Sequence, residues 1–130
     1  MIRRKIPAAL TVVIAVTTAL LAGCVATARA VADTTVTIKA EGSDYFGFVK
    51  SDRPLRCADG RKVVVYKQQG DTQSPGTDTK IGTDTASLNG DRYMWSTGNS
   101  GMYGKIYARA GRTESCKADS SPTIRVPRPD

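Results

Sequence analysis

The chain contains no histidine. That removes the commonest general base, the commonest metal ligand and the usual switch near neutral pH. Glutamate is nearly missing too: Glu41 and Glu114 both fall in turn-like segments, poor places for the paired carboxylates of a glycosidase. No Gly-x-Ser-x-Gly run marks a nucleophilic serine. A serine without histidine would need a buried lysine or a terminal amine as its base. The oxygen donors Asp71, Asp78, Asp84, Asn89 and Asp91 lie in loops and match no spaced calcium loop. Turn formation accounts for them. Beyond the first 30 residues nothing sustains a helical period of 3.6. Helix should be almost absent, and neither an enzyme, a cofactor nor a metal site is expected.

A clustered basic face is also missing from the sequence. The formal charge is +7, but Arg3, Arg4, Lys5 and Arg29 all lie near the start. From Val31 onward fifteen basic and twelve acidic side chains leave a net of +3. They are interleaved, as in Lys50-Ser51-Asp52-Arg53 and Arg56-Cys57-Ala58-Asp59-Gly60-Arg61-Lys62. Nucleic-acid recognition needs clustered cations. The expectation is a solvated surface of mixed charge with no nucleic-acid partner.

What the sequence does have begins with a leader over residues 1–30. Three charges in Met1 to Lys5 precede an uncharged run, Ile6 to Val25, of mostly Ala, Val, Leu and Ile. This is an export signal, and the apolar segment should be helical. Leu21-Ala22-Gly23-Cys24 resembles the lipobox of bacterial lipoproteins, which implies cleavage before Cys24 and a lipid on its sulfur. Ala28-Arg29-Ala30 and Ala30-Val31-Ala32 fit the small-x-small rule for ordinary cleavage. An uncleaved anchor is a third option, since the run is long enough to span a bilayer. The expected location is outside the cytoplasm, either extracellular or as a lipoprotein of the outer membrane or cell surface. Contact with a membrane is expected only through the leader or a lipid on Cys24.

Three cysteines reduce to two once the leader is set aside. Cys57 and Cys116 are an even pair in an exported domain, where a disulfide is the default. Two thiolates without histidine do not make a zinc site.

From residue 34 to 126, short apolar runs alternate with turn clusters. Strands are expected at Thr34 to Lys39, Tyr45 to Lys50, Lys62 to Gln68, Lys80 to Thr85, Arg92 to Ser96, Lys105 to Ala110 and Pro122 to Val126. Residues 127–130, with Pro127 and Pro129, form a short tail. Asn89-Gly90 reads as a type I′ hairpin turn. Gly98 to Gly104 and Gly70 to Lys80 read as exposed loops. The period-two pleat puts Val63 and Val65 on one face of their strand, and does the same for Ile106, Ala108 and Ala110 and for Tyr93 and Trp95. The expected fold is all-β: an antiparallel, immunoglobulin-like sandwich of about seven strands carrying one disulfide.

A resemblance narrows this further. The run Gly47-x-Val49, Val63-Val64-Val65-Tyr66, Ile81-Gly82-Thr83-Asp84-Thr85, Asn89-Gly90-x-x-Tyr93-x-Trp95 and Gly104-Lys105-Ile106-Tyr107-Ala108 resembles the transthyretin-like, carboxypeptidase-regulatory-like domains of small exported bacterial proteins. The likeness covers roughly Thr34 to Val126. It implies a spacer or adhesion-type module, often with a cysteine pair at the positions of Cys57 and Cys116. It carries little about function, because fold does not imply function.

Outward aromatics are the candidate contact residues. Tyr45, Tyr66, Tyr103 and Tyr107 could stack on sugar rings or anchor a protein. Met102 and Tyr103 at the tip of a glycine-rich loop, with Tyr107 and Tyr66, form the candidate binding surface. The loop Gly70 to Lys80 is the second. The expected function is a monomeric, non-catalytic module that binds a protein or glycan or acts as a spacer. An inhibitor-like secreted domain, and an envelope accessory domain or weak hydrolase, are the alternatives.

Overall fold

The apolar alternation becomes two antiparallel sheets in the computed structural model, which describes residues 30–130. The leader through Arg29, with Cys24, lies outside the described residues. The strands are β1 (Thr34–Val36), β2 (Lys39–Glu41), β3 (Asp44–Ser51), β4 (Lys62–Lys67), β5 (Thr79–Thr85), β6 (Ser87–Asn89), β7 (Arg92–Asn99), β8 (Gly104–Ala110), β9 (Asp119–Ser120) and β10 (Ile124–Val126). A single helical turn, α1 (Pro54–Cys57), follows β3 and starts on a proline whose ring suits a first helical position. One sheet runs β1-β3-β7-β6 with β2 also on β3; the other runs β10-β8-β4-β5 with β9 also on β8. The chain passes between the sheets after β3, at Ala86 between β5 and β6, and again after β7.

Ten strands stand where seven were expected. The first expected strand breaks into β1 and β2 because Thr37 cannot continue the ladder. Phe48 N–H donates to Thr37 Oγ1 at 2.8 Å, while Thr37 N–H donates to Phe48 O at 3.0 Å. The Thr37 carbonyl lies over Gly47, where a Cβ would sit 1.9 Å from it. Only glycine fits beneath that crossing. The other two additions, β6 and β9, are short strands on β7 and β8. The Asn89-Gly90 turn also differs from expectation. Asn89 pairs with Arg92, so Gly90 and Asp91 are the central residues, and only Gly90 has a positive φ, 67°. That is the type II′ pattern, with glycine first.

The residues expected to share a face do so, and that face is inward. Val63, Val65, Ile106, Ala108, Ala110 and Trp95 are buried, and Tyr93 packs against them. They join Val36, Tyr45 and Val49 in a cluster drawn from both sheets. Trp95 is the largest of these side chains, and its indole N–H is buried without a partner. That costs about 1–3 kcal/mol, which its buried ring offsets.

The disulfide Cys57–Cys116 closes a separation of 59 residues with the Cα atoms 5.6 Å apart. Ala32 packs on it, and its backbone is held on both sides, to Ser115 O and Lys117 N, each at 2.9 Å. The bridge therefore joins α1, the start of the described chain and the segment after β8. In the chain-entropy picture a loop of this length is worth about 4 kcal/mol. Among the described residues no helix is long and apolar enough to cross a membrane.

Candidate functional site

The expected aromatic surface is not exposed. Tyr66 and Tyr107 do lie on the outer face of β4 and β8, opposite the inward Val65 and Ile106, and stack with ring centres 5.2 Å apart. Yet Tyr66 is 7% exposed and Tyr107 0%. The segment between β4 and β5 folds over them. Tyr107 OH donates to Asp78 Oδ2 at 2.5 Å, and Asp78 also accepts from Gln69 N at 3.0 Å and Ser74 N at 2.7 Å. The Tyr107 bond and these amides hold the Asp78 carboxyl below its ordinary pKa, and burial with the facing carboxylate pushes the Tyr107 phenol up. Gln73 Nε2 ties the same segment to Ser121 O at 2.8 Å. The loop is exposed at most of its residues, as expected, and through Asp78 and Gln73 it also covers the two tyrosines.

Met102 and Tyr103 are half-buried, and their loop does not project. Ser100 N and Ser100 Oγ both donate to Ser43 O, at 3.0 and 2.8 Å, and Gly101 N donates to Ser43 Oγ at 3.0 Å. Tyr45, also expected outward, is fully buried and donates to Met102 O at 2.6 Å. Burial is the main reason its phenol pKa is raised.

One concave feature of the described surface lies at the far end of β8, about 20 Å of strand away from Tyr103, and among the concavities it is the one ringed by charge. A groove of about 500 Å³ is lined by Arg56, Arg61, Lys62, Arg109 and Arg112, with Asp59 its one acid. That volume is within the range of ligand clefts. Val64 and the nearly buried Tyr66 supply apolar lining. Each part has a local cause. Arg56 rides on α1, whose last residue is tied by the disulfide. Lys62 and Val64 share the outer face of β4, and Arg109 is the partner of Val64 across the β4–β8 ladder. Arg112 lies just beyond β8, in the segment that Cys116 ties back to α1.

Arg61 holds the walls together. Its side chain is buried, and four N–H groups are used: Nη1 donates to Thr34 Oγ1 at 3.2 Å and Cys57 O at 3.0 Å, Nη2 to Gly111 O at 2.6 Å and Lys117 O at 2.9 Å. Thr34, the end of α1 at Cys57 and the stretch Gly111 to Lys117 after β8 thus meet on one guanidinium. Burial lowers its pKa from the ordinary arginine value, and arginine stays charged regardless. Its partners are carbonyls and a hydroxyl. Among the described residues the one ion pair joins exposed Lys117 and Asp33, so no carboxylate is paired with any groove cation.

Cations and acids alternate along the chain, which argued against a basic face, but the fold corrects that expectation: Arg56, Arg61 and Lys62 line one groove with Arg109 and Arg112, and Asp59 is the one acid among them. The signal was present in the cysteines. Both cation groups flank the pair Cys57 and Cys116, so the bridge had to bring them near one another. Among the described residues no group of three or more potential ligands could hold a metal ion. No protein-family model matches the chain, and neither a curated protein nor a solved structure matches it.

Proposed function

We propose that the protein is an exported, non-catalytic binding module whose two sheets pack as a transthyretin-like β-sandwich. The leader sends it out of the cytoplasm, where the Cys57–Cys116 bridge persists, and it works on the outer side of the membrane, tethered through Cys24 or released. The observation that carries the binding reading is the groove: four cationic side chains, Arg56, Lys62, Arg109 and Arg112, on a frame held by buried Arg61 and the disulfide, line it with one acid. Such a concentration of one sign focuses the local field and favours a partner of the opposite charge.

The test uses the processed protein and fractions of its own cell envelope. Immobilised wild type should retain envelope material that the triple variant Arg56→Ser, Lys62→Ser, Arg112→Ser releases. Equal retention by both proteins would refute the groove as the working surface. Recovery of the protein from the cytoplasm with its leader intact and its thiols free would refute export.

A further inference from the structure

We infer that the groove is a subsite for a linear anionic glycan, a hydroxylated chain carrying carboxylate or phosphodiester groups at regular intervals. This deepens the binding-module reading and rests on it. Four observations lead to that class. First, the exposed cations Arg56, Lys62 and Arg112 come from α1, β4 and the segment after β8, and they line the groove with the half-buried Arg109, whose Nη1 donates to Ser120 Oγ at 2.9 Å. Lys62 lies two residues along β4 from Val64, the partner of Arg109, so Lys62 and Arg109 stand on a diagonal about 7–8 Å long. That spacing meets successive charges on a chain better than it grips a single small anion.

Second, Gly60 and Gly111 line the groove, and neither has any atom within 4 Å of where a Cβ would be. The wall is low there, and a chain can lie across the groove and continue past it. Third, the one aromatic lining the groove is Tyr66, which is 7% exposed and stacks on Tyr107 at 5.2 Å. So little exposed ring is a poor platform for base stacking, the device by which single-stranded nucleic acid is held. Fourth, β4 is hydrogen-bonded to β5 along its whole length and to β8 from Val64 to Lys67, so beside the groove only Lys62 and Val63 of β4 lack a β8 partner. So short an edge gives an extended acidic peptide few main-chain bonds for strand addition. A glycan needs only side-chain charge and hydroxyl-bonding partners such as Thr113, which also lines the groove.

Arg61 is the positioning residue of this subsite. Its four bonds hold Cys57 O beside Arg56 and Gly111 O beside Arg112. Its Nε–H, the fifth donor, has no partner among the described residues.

Calorimetric titration of the processed protein with four probes tests this: polygalacturonate, poly(glycerol phosphate), oligo(dT) and poly-L-glutamate. One of the first two should bind more tightly than either of the last two at about 50 mM salt, with a log–log salt slope of about −3 for the four cations. Which of the two binds tells carboxylate from phosphodiester. The variant Arg56→Ser, Lys62→Ser, Arg112→Ser should weaken binding by about 30-fold. The charge-matched control Lys39→Ser, Lys50→Ser, Arg128→Ser, all exposed and outside the groove, should stay within about threefold of wild type. Equal losses in both variants would overturn the subsite, because net charge alone would explain them. Tighter binding of oligo(dT) would assign the groove to nucleic acid, and tighter binding of polyglutamate would assign it to an acidic protein; either overturns the glycan. If no probe binds while envelope material is still retained through the groove, the ligand class is wrong and the module stands. If that retention is absent as well, both fall.

Discussion

Replacing Gly47 by alanine tests the packing of the fold at its tightest point. The added methyl would lie 1.9 Å from Thr37 O and 2.6 Å from Thr37 C, both backbone atoms. The φ of Gly47 is not in the left-handed region, so any cost comes from space and not from backbone strain. Relief requires the Thr37 crossing to lift off β3. That breaks two bonds, Thr37 N to Phe48 O and Phe48 N to Thr37 Oγ1. Two such bonds are worth about 2 kcal/mol, and an overpacked methyl adds about 1–3 kcal/mol. The expected loss is about 3–5 kcal/mol against a typical total of about 5–15 kcal/mol. For a domain of this size Tm should fall by about 12 °C or more. The assay is urea or thermal unfolding followed by the fluorescence of Trp95, the only tryptophan, which is buried and pairs with Gly47 across the β3–β7 ladder. Gly76→Ala is the control, because nothing lies within 4 Å of its Cβ position; it should be neutral or slightly stabilising. A Gly47→Ala loss of less than about 1 kcal/mol, within the range of an ordinary surface change, would refute the crossing.

Three further outcomes are expected. Arg61→Met removes the donors to three carbonyls, of Cys57, Gly111 and Lys117, and should cost about 2–4 kcal/mol in urea unfolding; a neutral result would mean those carbonyls find water without strain. The depressed Asp78 pKa contributes stability that is present above the ordinary carboxylate range and is lost as pH falls through the folded value. The raised Tyr107 pKa makes stability decline as pH rises past about 10. Asp78→Asn should flatten the acid limb of Tm against pH, and an unchanged limb would contradict the assignment. Finally, Ala32 is part of the fold, so ordinary cleavage should fall after Ala30 and not after Ala32. On the proposed export route, intact-mass analysis of the protein recovered from membranes and medium should show a chain starting at Val31, or at Cys24 with its lipid. A chain starting at Asp33 would show that the Ala32 clamp is dispensable.

The alternating residues were legible because a pleat sends neighbours to opposite faces whatever the tertiary context. Val63 with Val65, Ile106 with Ala108, and the Cys57–Cys116 bridge all follow from that rule or from cysteine parity. Exposure was not legible. Tyr107 is on the outer face as the pleat requires, but its burial depends on Asp78, 29 residues away, folding a polar loop back over it. The sheet change at Ala86 was hidden for a similar reason. Ala86 is a small residue whose N–H bonds to Arg61 O at 2.8 Å and whose carbonyl takes Gly60 N–H at 2.9 Å, and nothing local announces those partners. The groove was missed because charge was read along the chain. Arg61 Nη2 meets Gly111 O across 50 residues, and it is the bridge and the β4–β8 ladder that turn an interleaved sequence into a one-signed surface.

The most direct test of that surface is a backbone amide shift map of the processed protein, titrated with the tightest-binding of the four probes. Shifts concentrated at Arg56, Lys62, Val64, Arg109 and Gly111, and lost in the groove variant, are the predicted result. Shifts centred on Met102 and Tyr103, or on Phe46, Phe48 and Met94 of the opposite sheet, would contradict it and move the working face elsewhere.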